Sequence, residues 1–290
     1  MPKPATVNAP AELLEFLFNA WPEVKRKQVR TWLKFEAVTV NGQPVSQFNH
    51  PLKTGDIVAI QSDRHATPDT VPGTGIKIRF EDATLIVIEK PVNLLSIATD
   101  KGRERTAYSL LMNHVQQGRE RSRERVWIVH RLDRETSGLM VFARNPQAKE
   151  SLQKNWQRTE KLYQAIVEGS PPAMAGTLES DLDESNPGRV FSTSPGDGTR
   201  HAITHYRVLK RHSGRTLVEV TLETGRRNQI RVQLADVGCP VVGDEKYGAK
   251  TNPARRLCLH ACALRFTHPA TRQETSFESP LPQELARLVN

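Results

Sequence analysis

The sequence has few of the features that mark secreted, disulfide-rich or membrane-spanning proteins. Its 290 residues include three cysteines, at 239, 258 and 262, and such an odd, sparse count argues against a fold built on disulfides. No stretch approaches the roughly 18 uninterrupted apolar residues of a membrane-spanning helix. The opening residues, MPKPATVNAP, lack the basic and apolar regions of a signal peptide. These absences predict a protein of the reducing cytoplasm that does not span a membrane.

Acidic residues are also too few to balance the basic ones. There are 32 Asp and Glu against 41 Lys and Arg, which leaves a net charge of +9. Most of the excess lies in three basic segments: residues 21–35 (five bases, one acid), 101–134 (nine bases, four acids) and 207–231 (seven bases, two acids). Such runs are often only solvated faces, but the sign also suits a polyanionic partner, either nucleic acid or anionic lipid.

A change in composition divides the chain. Residues 61–75, QSDRHATPDTVPGTG, hold Pro and Gly and almost no large apolar side chain, which is typical of a linker. We therefore predict a domain over 1–60, a linker over 61–75 and a second domain over 76–290. In the first domain, helical spacing of apolar residues predicts two short helices, and Asn41-Gly42 predicts a hairpin turn after a strand.

The second domain is rich in predicted strands. Alternating or continuous apolar runs occur at 85–88, 138–143, 163–167 and 216–222. One amphipathic helix is predicted between residues 145 and 160, with Ala148, Leu152 and Trp156 on its apolar face. Many strands with few helices predict an α+β fold with a large mixed, mainly antiparallel sheet.

The densest polar cluster, HRLDRETSG at residues 130–138, lies between two apolar strands. A polar loop on a rigid sheet can hold a reactive group. Arg131 and Arg134 flank Asp133, and nearby cations lower the pKa of a carboxylate and keep it ionised, as a nucleophile requires. The alternative is a tight turn with a structural ion pair.

A second cluster, TGRRNQIR at residues 224–231, combines a glycine that permits a sharp bend with three arginines. The guanidinium fork of arginine pairs with phosphate or carboxylate through two hydrogen bonds. The alternative is a basic turn without a ligand.

These clusters resemble the motifs of the RluA-type RNA pseudouridine synthases. The loop at 130–138 resembles the family signature, and residues 80–91, which end in a Lys-Pro turn, resemble its opening strand. KLYQA at 161–165 resembles its tyrosine motif, and 224–231, followed by the glycines and tyrosine of 238–248, resembles its third motif. The motifs occur in family order over about residues 76–270. The first domain resembles the small RNA-binding domain named after ribosomal protein S-four.

The chain departs from the family pattern at two places. Asn228 stands where the family usually has a histidine, and Asn93 replaces the usual glycine after the Lys-Pro turn. Asn228 keeps a polar side chain but cannot titrate.

The resemblance implies an isomerase that converts uridine in ribosomal or transfer RNA to pseudouridine, on a fold of the pseudouridine synthase type. It implies that Asp133 is the essential carboxylate, that Arg231 pairs with it, and that Tyr163 packs on the base and relays a proton. Ile230 is then an apolar wall of the base pocket, and Arg131 occupies the gap left by a flipped nucleotide. The remaining expected substrate-binding residues are Arg226, Asn228 and Gln229.

The expected partner is RNA, with no metal, no cofactor and no obligate protein partner, and the chain is expected to be a monomer. Two other functions stay open from the residues alone: a catalytically silent RNA-binding protein on the same scaffold, and a glycosidase that uses Asp133, although no second catalytic carboxylate is evident. Cys258 and Cys262 share a face but lack the further ligands of a zinc site, so we expect them to be small buried side chains.

Overall fold

A computed structural model describes residues 3–24, 26–34, 37–60, 70–98, 105–116 and 123–290. The chain divides into two compact units: Met1–Asp69 with Ile78–Ile86, and Thr70–Lys77 with Val87–Asn290. Residues 61–69 of the expected linker lie outside the described residues, and 70–75 belong to the second unit. Within the described part of the chain, no helix is long and apolar enough to cross a membrane.

The segment Met1–Asp69 of the first unit contains two helices and six short strands among its described residues. The helices are α1 (Leu13–Ala20) and α2 (Arg26–Lys34). The strands are β1 (Ala5–Thr6), β2 (Ala11–Glu12), β3 (Val38–Val40), β4 (Gln43–Pro44), β5 (Pro51–Leu52) and β6 (Ile57–Ile60). They make a four-stranded sheet in the order β1-β6-β3-β4 and a two-stranded sheet of β2 and β5. Both predicted helices are present.

The predicted hairpin turn of the first unit is confirmed. Asn41 and Gly42 join β3 to β4 with φ angles of 50° and 79°, and this positive-φ pair suits the twist of a two-residue hairpin. The amide of Asn41 donates to the Asp56 carboxylate at 2.9 Å, and its oxygen accepts from the Ile57 N–H at 2.9 Å. These bonds tie the turn to the start of β6.

Longer strands dominate the rest of the chain. They are β7 (Lys77–Glu81), β8 (Leu85–Lys90), β9 (Trp127–Ile128), β10 (Ser137–Ala143), β11 (Glu160–Glu168), β12 (Ala175–Asp183), β13 (Phe191–Thr193), β14 (Arg200–His212), β15 (Arg215–Leu222), β16 (Leu259–Thr267) and β17 (Glu274–Glu278). The helices are α3 (Ala107–Gln116), α4 (Pro146–Lys154), α5 (Gln229–Asp236) and α6 (Gln283–Ala286).

These eleven strands form one mixed sheet. Its order is β13-β12-β14-β15-β11-β16-β10-β8-β7, with β17 beside β16 and β9 beside β10. The pair of β10 and β16 is parallel, whereas the long pairs on either side of β15 are antiparallel. The predicted α+β fold with a large mixed, mainly antiparallel sheet is confirmed.

A glycine lets the parallel pair form next to the signature loop. Gly138, near the start of β10, has a φ of 116°, and a Cβ placed there would collide with the backbone of Ala261 in β16. Only glycine tolerates both this angle and this approach. The loop that ends at β10 is therefore anchored to the centre of the sheet.

The predicted helix of residues 145–160 is shorter than expected. Asn145 caps α4 by accepting from the N–H of Ala148 at 2.8 Å, but the helix ends at Lys154. Ala148 and Leu152 are buried on its apolar face, as predicted. Trp156 instead begins a separate 3-10 turn, Trp156–Arg158, so its indole does not continue the apolar face of the helix.

Candidate active site

A cavity of about 790 Å³ opens in the second unit beside the signature loop. Its walls come from the loop before β10, from Trp156, from β11 and from the segment around the start of α5. All eight residues expected from the sequence line it: Arg131, Asp133, Tyr163, Arg226, Asn228, Gln229, Ile230 and Arg231. The structure therefore brings the signature loop, the tyrosine motif and the segment of residues 224–231 to one place, although they lie up to about a hundred residues apart in the chain.

The loop that carries Asp133 is held on both sides by hydrogen bonds to its backbone. The buried hydroxyl of Ser96 donates to the Leu132 carbonyl at 2.6 Å and accepts from the Leu132 N–H at 3.1 Å. The ammonium of Lys90, which is fully buried, donates to the Arg134 carbonyl at 3.2 Å and also to the carbonyls of Pro91 and Leu94. Asp133 thus lies between two fixed backbone points.

Burial raises the pKa of Asp133 above its ordinary value, and the neighbouring charges only partly oppose this. The cations that act against burial are Arg231, then Arg131 and Lys246, while the Glu135 carboxylate adds to the rise. The flanking Arg131 lowers this pKa, as expected, but the expected net lowering was wrong because the loss of hydration outweighs the cations. The nearby cations therefore favour the ionised form of the Asp133 carboxyl, which burial disfavours.

Arg231 is a buried arginine whose position is set by another acid. Its Nε and a terminal nitrogen donate to the two oxygens of buried Asp244 at 2.6 and 2.7 Å. The other terminal nitrogen donates to the Asn228 side-chain oxygen at 3.2 Å and reaches Glu135 at 3.5 Å. The expected direct pairing with Asp133 is replaced by this bidentate pair, and Arg231 acts on Asp133 through its charge.

Tyr163 projects from β11 into the cavity and is buried. Burial, followed by the negative charge of Asp133, raises the pKa of its phenol. The side chain is therefore a neutral phenol at physiological pH, which can stack on a base or donate a hydrogen bond. Ile230, also buried, adds an apolar wall.

The side-chain amides of Asn228 and Gln229 make hydrogen bonds to other residues of the protein. Asn228 has a φ of 53° at the start of α5 and donates to the Tyr247 hydroxyl at 3.0 Å. Gln229 donates to the Ile203 carbonyl and the Thr204 hydroxyl, and accepts from the Thr224 hydroxyl and the Arg226 N–H. Both residues line the cavity, but their hydrogen bonds join them to neighbouring wall residues and so fix the shape of the wall.

The exposed rim of the cavity is basic. Arg131, Arg200 and Arg226 line it with exposed side chains. The guanidinium of Arg226 donates to the His201 carbonyl at 3.0 Å. Arg227, half-buried, donates to the carbonyls of Glu184 and Pro187 at 3.0 and 3.1 Å and so fixes the turn that forms one lip.

Sequence reasoning missed several residues that hold the site together. It placed Lys90, Asp244 and Tyr247 within family motifs without giving them a role, and it did not single out Ser96. The ring of Tyr247 lies 5.2 to 5.5 Å from the cationic groups of Arg231, Arg189 and Lys246. The available signals were the Lys-Pro turn for Lys90 and the glycine-rich segment for Asp244 and Tyr247, whereas Ser96 had none.

Known proteins place this chain in a family. The family model described as RNA pseudouridylate synthase matches residues 84–236. An uncharacterized RNA pseudouridine synthase, YlyB, of Bacillus subtilis is 34% identical, over 95% of this chain and 92% of that protein. The ribosomal large subunit pseudouridine synthase D of Xanthomonas campestris is 31% identical, over 94% of this chain and 86% of its own.

A solved structure supports the same assignment. The human RNA pseudouridylate synthase domain containing 4 superposes with a TM-score of 0.61 at 26% identity, over 73% of this chain and 92% of that chain. Together with the match of the family model over more than half of the sequence, this confirms the resemblance and the fold expected from the motifs. The chain belongs to the RNA pseudouridylate synthase family, and it is an enzyme that isomerises uridine in RNA to pseudouridine.

Proposed function

We propose that the target uridines lie in large-subunit ribosomal RNA and that Asp133 is the essential carboxylate, acting on a flipped-out uridine. The observation that carries the residue assignment is the position of Asp133 in the cavity, beside Tyr163 and within reach of the Arg231 charge. The names of the relatives from Xanthomonas campestris and Neisseria meningitidis, both ribosomal large subunit pseudouridine synthase D, support the choice of RNA.

The chemistry of the isomerisation indicates what each residue of the site does. The bond from uracil N1 to the sugar C1′ breaks, the base turns, and C5 bonds to C1′. The proton on C5 then leaves, and N1 takes up a proton, so the product is an isomer of the substrate. Atoms balance without an oxidant, reductant or external group. The Asp133 carboxylate acts at the sugar, and Arg231 is the strongest cation that keeps it ionised against burial. The neutral Tyr163 ring packs on the free uracil, and Ile230 closes the apolar side.

A flipped nucleotide explains the position of the basic rim. The sugar carbon is inaccessible in a stacked strand, so the nucleotide must leave the helix to reach Asp133. Exposed Arg131 and Arg226 at the rim then face the RNA backbone or the gap in the stack. Phosphate contacts from such side chains supply affinity and make it sensitive to salt.

Tritium release tests the proposal. Large-subunit ribosomal RNA transcribed with 5-tritiated uridine is incubated with the wild type, with Asp133→Asn and with Asp197→Asn, a matched change at an exposed loop acid. We expect release with the wild type and the Asp197 variant, and loss of release with Asp133→Asn while RNA binding persists. Activity of Asp133→Asn would overturn the assignment of the essential carboxylate. Transfer RNA labelled in the same way is incubated in parallel, and release from it alone would overturn the choice of RNA.

We propose further that the first unit is an S-four-like RNA-binding domain. Its helix α2 presents exposed Arg26 and Arg30 from the first basic segment. Replacing both with Gln removes two potential phosphate contacts, so the salt dependence of RNA affinity should become shallower by up to about two in slope. An unchanged affinity and slope, with normal thermal unfolding, would contradict this domain's role.

The oligomeric state and the cellular compartment form a further part of the proposal. We propose a monomer of the cytoplasm without an obligate protein partner. The three cysteines are free, which suits a reducing compartment.

A further inference from the structure

Three residues at one end of the cavity have no role in the proposed isomerisation. They are His130, Trp156 and Lys161, and all three line the cavity. They differ in kind from the exposed arginines of the rim, because two are half-buried aromatic rings and the third is a buried ammonium. An inward aromatic surface with a cation beside it is the combination that binds the face of a base and its phosphate.

His130 is an aromatic backing for Trp156. The two rings stack with centroids 4.3 Å apart and an interplanar angle of 28°. The Nε2 of His130 accepts a hydrogen bond from the Val141 N–H of β10 at 3.1 Å, which anchors the imidazole to the central sheet. Burial and the charge of Lys161 lower the pKa of His130 to about 3, so the ring is neutral and takes no proton at physiological pH.

Trp156 reaches the cavity because the preceding helix stops early. Asn155 follows the last residue of α4, and Trp156 starts a 3-10 turn that directs the indole toward the cavity. His130 can shield one face of the indole, and the ring remains half-exposed. The stacked pair restricts the rotamers of the indole, so a base can stack on it at little cost in side-chain entropy.

Lys161 places a positive charge next to this ring. Its Nζ lies 6.0 Å from the centroid of the Trp156 ring and donates to the Trp156 carbonyl at 3.3 Å. An ammonium has three donors, and among the described residues Lys161 makes only this hydrogen bond. A buried ammonium with unused donors that lines a cavity is suited to a phosphate oxygen.

We propose that Trp156 and Lys161 form a second nucleotide subsite, in which the base next to the flipped uridine stacks on Trp156 and its phosphate pairs with Lys161. The inference rests on the proposed function, since it concerns RNA bound beside Asp133. The volume of about 790 Å³ is in the upper part of the roughly 300–1,000 Å³ that whole-ligand pockets span, which leaves room beyond one uridine. Stacking is tolerant of sequence, so this subsite holds the strand without selecting its base.

Binding of short RNA tests the subsite without turnover. The full chain carrying Asp133→Asn is titrated with a uridine trinucleotide and with the same trinucleotide lacking its two outer bases. We expect Trp156→Ala to weaken binding of the complete trinucleotide about tenfold, a loss of about 1.4 kcal/mol, and Trp156→Phe to retain most of it. The matched control, Trp127→Phe, changes a tryptophan that is not among the cavity-lining residues and should bind normally.

The probe lacking outer bases separates stacking from other effects. It should bind equally to proteins with and without Trp156→Ala, and Lys161→Gln should weaken both probes and reduce the salt slope by about one. Equal binding of the complete trinucleotide by Trp156→Ala and its parent would overturn the proposal. Because binding is measured in the Asp133→Asn background, this failure is distinct from an absence of tritium release in the wild type.

A crosslink in the unmodified protein covers the case in which Trp156→Ala does not fold. Ribosomal RNA containing 5-iodouridine is bound to the wild type and irradiated, and the linked peptide is identified by mass spectrometry. We expect a crosslink at Trp156. Crosslinks that map only to other residues would overturn the subsite.

Discussion

The buried wall of the cavity and its exposed rim use arginine in opposite ways. At the wall, Arg231 is 5% exposed and held by the two oxygens of Asp244, itself 2% exposed. At the rim, Arg131 and Arg226 are exposed. A guanidinium fixed in a low-dielectric wall acts strongly on a neighbouring charge, whereas an exposed one is screened by salt and suits mobile phosphates. Wall residues should therefore affect stability and turnover, and rim residues affinity.

The largest effect is expected at the Arg231–Asp244 pair. Arg231→Met leaves the Asp244 carboxylate buried and unpaired, which should cost about 3–5 kcal/mol of unfolding free energy, and tritium release should fall at least about a hundredfold. Adding Asp244→Asn removes the orphaned charge, so the double variant should regain much of the stability without regaining activity. Chemical denaturation and tritium release measure the two effects separately.

A different behaviour of the double variant would contradict the distinction between the buried wall and the exposed rim. Recovery of activity together with stability would mean that Arg231 serves only the fold. A double variant as unstable as Arg231→Met would mean that the arginine, rather than the unpaired acid, supplies the stability.

A smaller effect concerns Asp133 itself. Its folded-state pKa is raised, so the folded protein holds the proton more tightly than the unfolded chain and loses stability as pH rises through that pKa. Asn carries no charge, so Asp133→Asn should be more stable than the wild type at pH 7, and the difference should vanish near pH 4. Thermal unfolding of both proteins across this range measures it.

The pH dependence of turnover gives a second test of the raised pKa of Asp133. The ionised carboxylate is the active form, so the acid limb of the rate profile should lie above the ordinary aspartate pKa of 3.8. A melting difference between Asp133→Asn and the wild type that does not change with pH would contradict the raised pKa.

The smallest effect on the fold is expected at the rim. Arg131→Gln should leave the unfolding free energy within about 0.5 kcal/mol, weaken RNA binding and reduce the salt slope by about one. Arg131→Lys keeps the charge and should retain the slope. A large loss of stability in Arg131→Gln would show that the rim is structural as well.

Motifs of contiguous residues could be interpreted from the sequence, whereas contacts between residues that only the fold brings together could not. Asp133 was found because it lies in a polar loop between two apolar runs, and Tyr163 because its short motif resembles that of the family. Asp244 was assigned no role, since its pairing with Arg231 depends on how the chain returns after α5. The pKa of Asp133 was predicted with the wrong sign, because the local sequence displays the neighbouring arginines but not the extent of burial.

The predicted helix of residues 145–160 failed at its end for a similar reason. The spacing of Ala148, Leu152 and Trp156 fits one helical face, but Lys154 is the last helical residue and a 3-10 turn follows. The regular spacing of apolar residues continues beyond the last residue of the α-helix, into the 3-10 turn. An indole that periodicity assigned to the core therefore lines the cavity instead.

Gly138 limits where this scaffold can be altered. Because the backbone of β16 occupies the space that any Cβ would need, a library of substitutions at this position should yield no active variant, whatever the neighbouring residues. The same contact fixes the distance from the signature loop to the middle of the sheet. Selection for a different RNA target would thus have to work through the rim and the Trp156 end, leaving the geometry around Asp133 inherited unchanged.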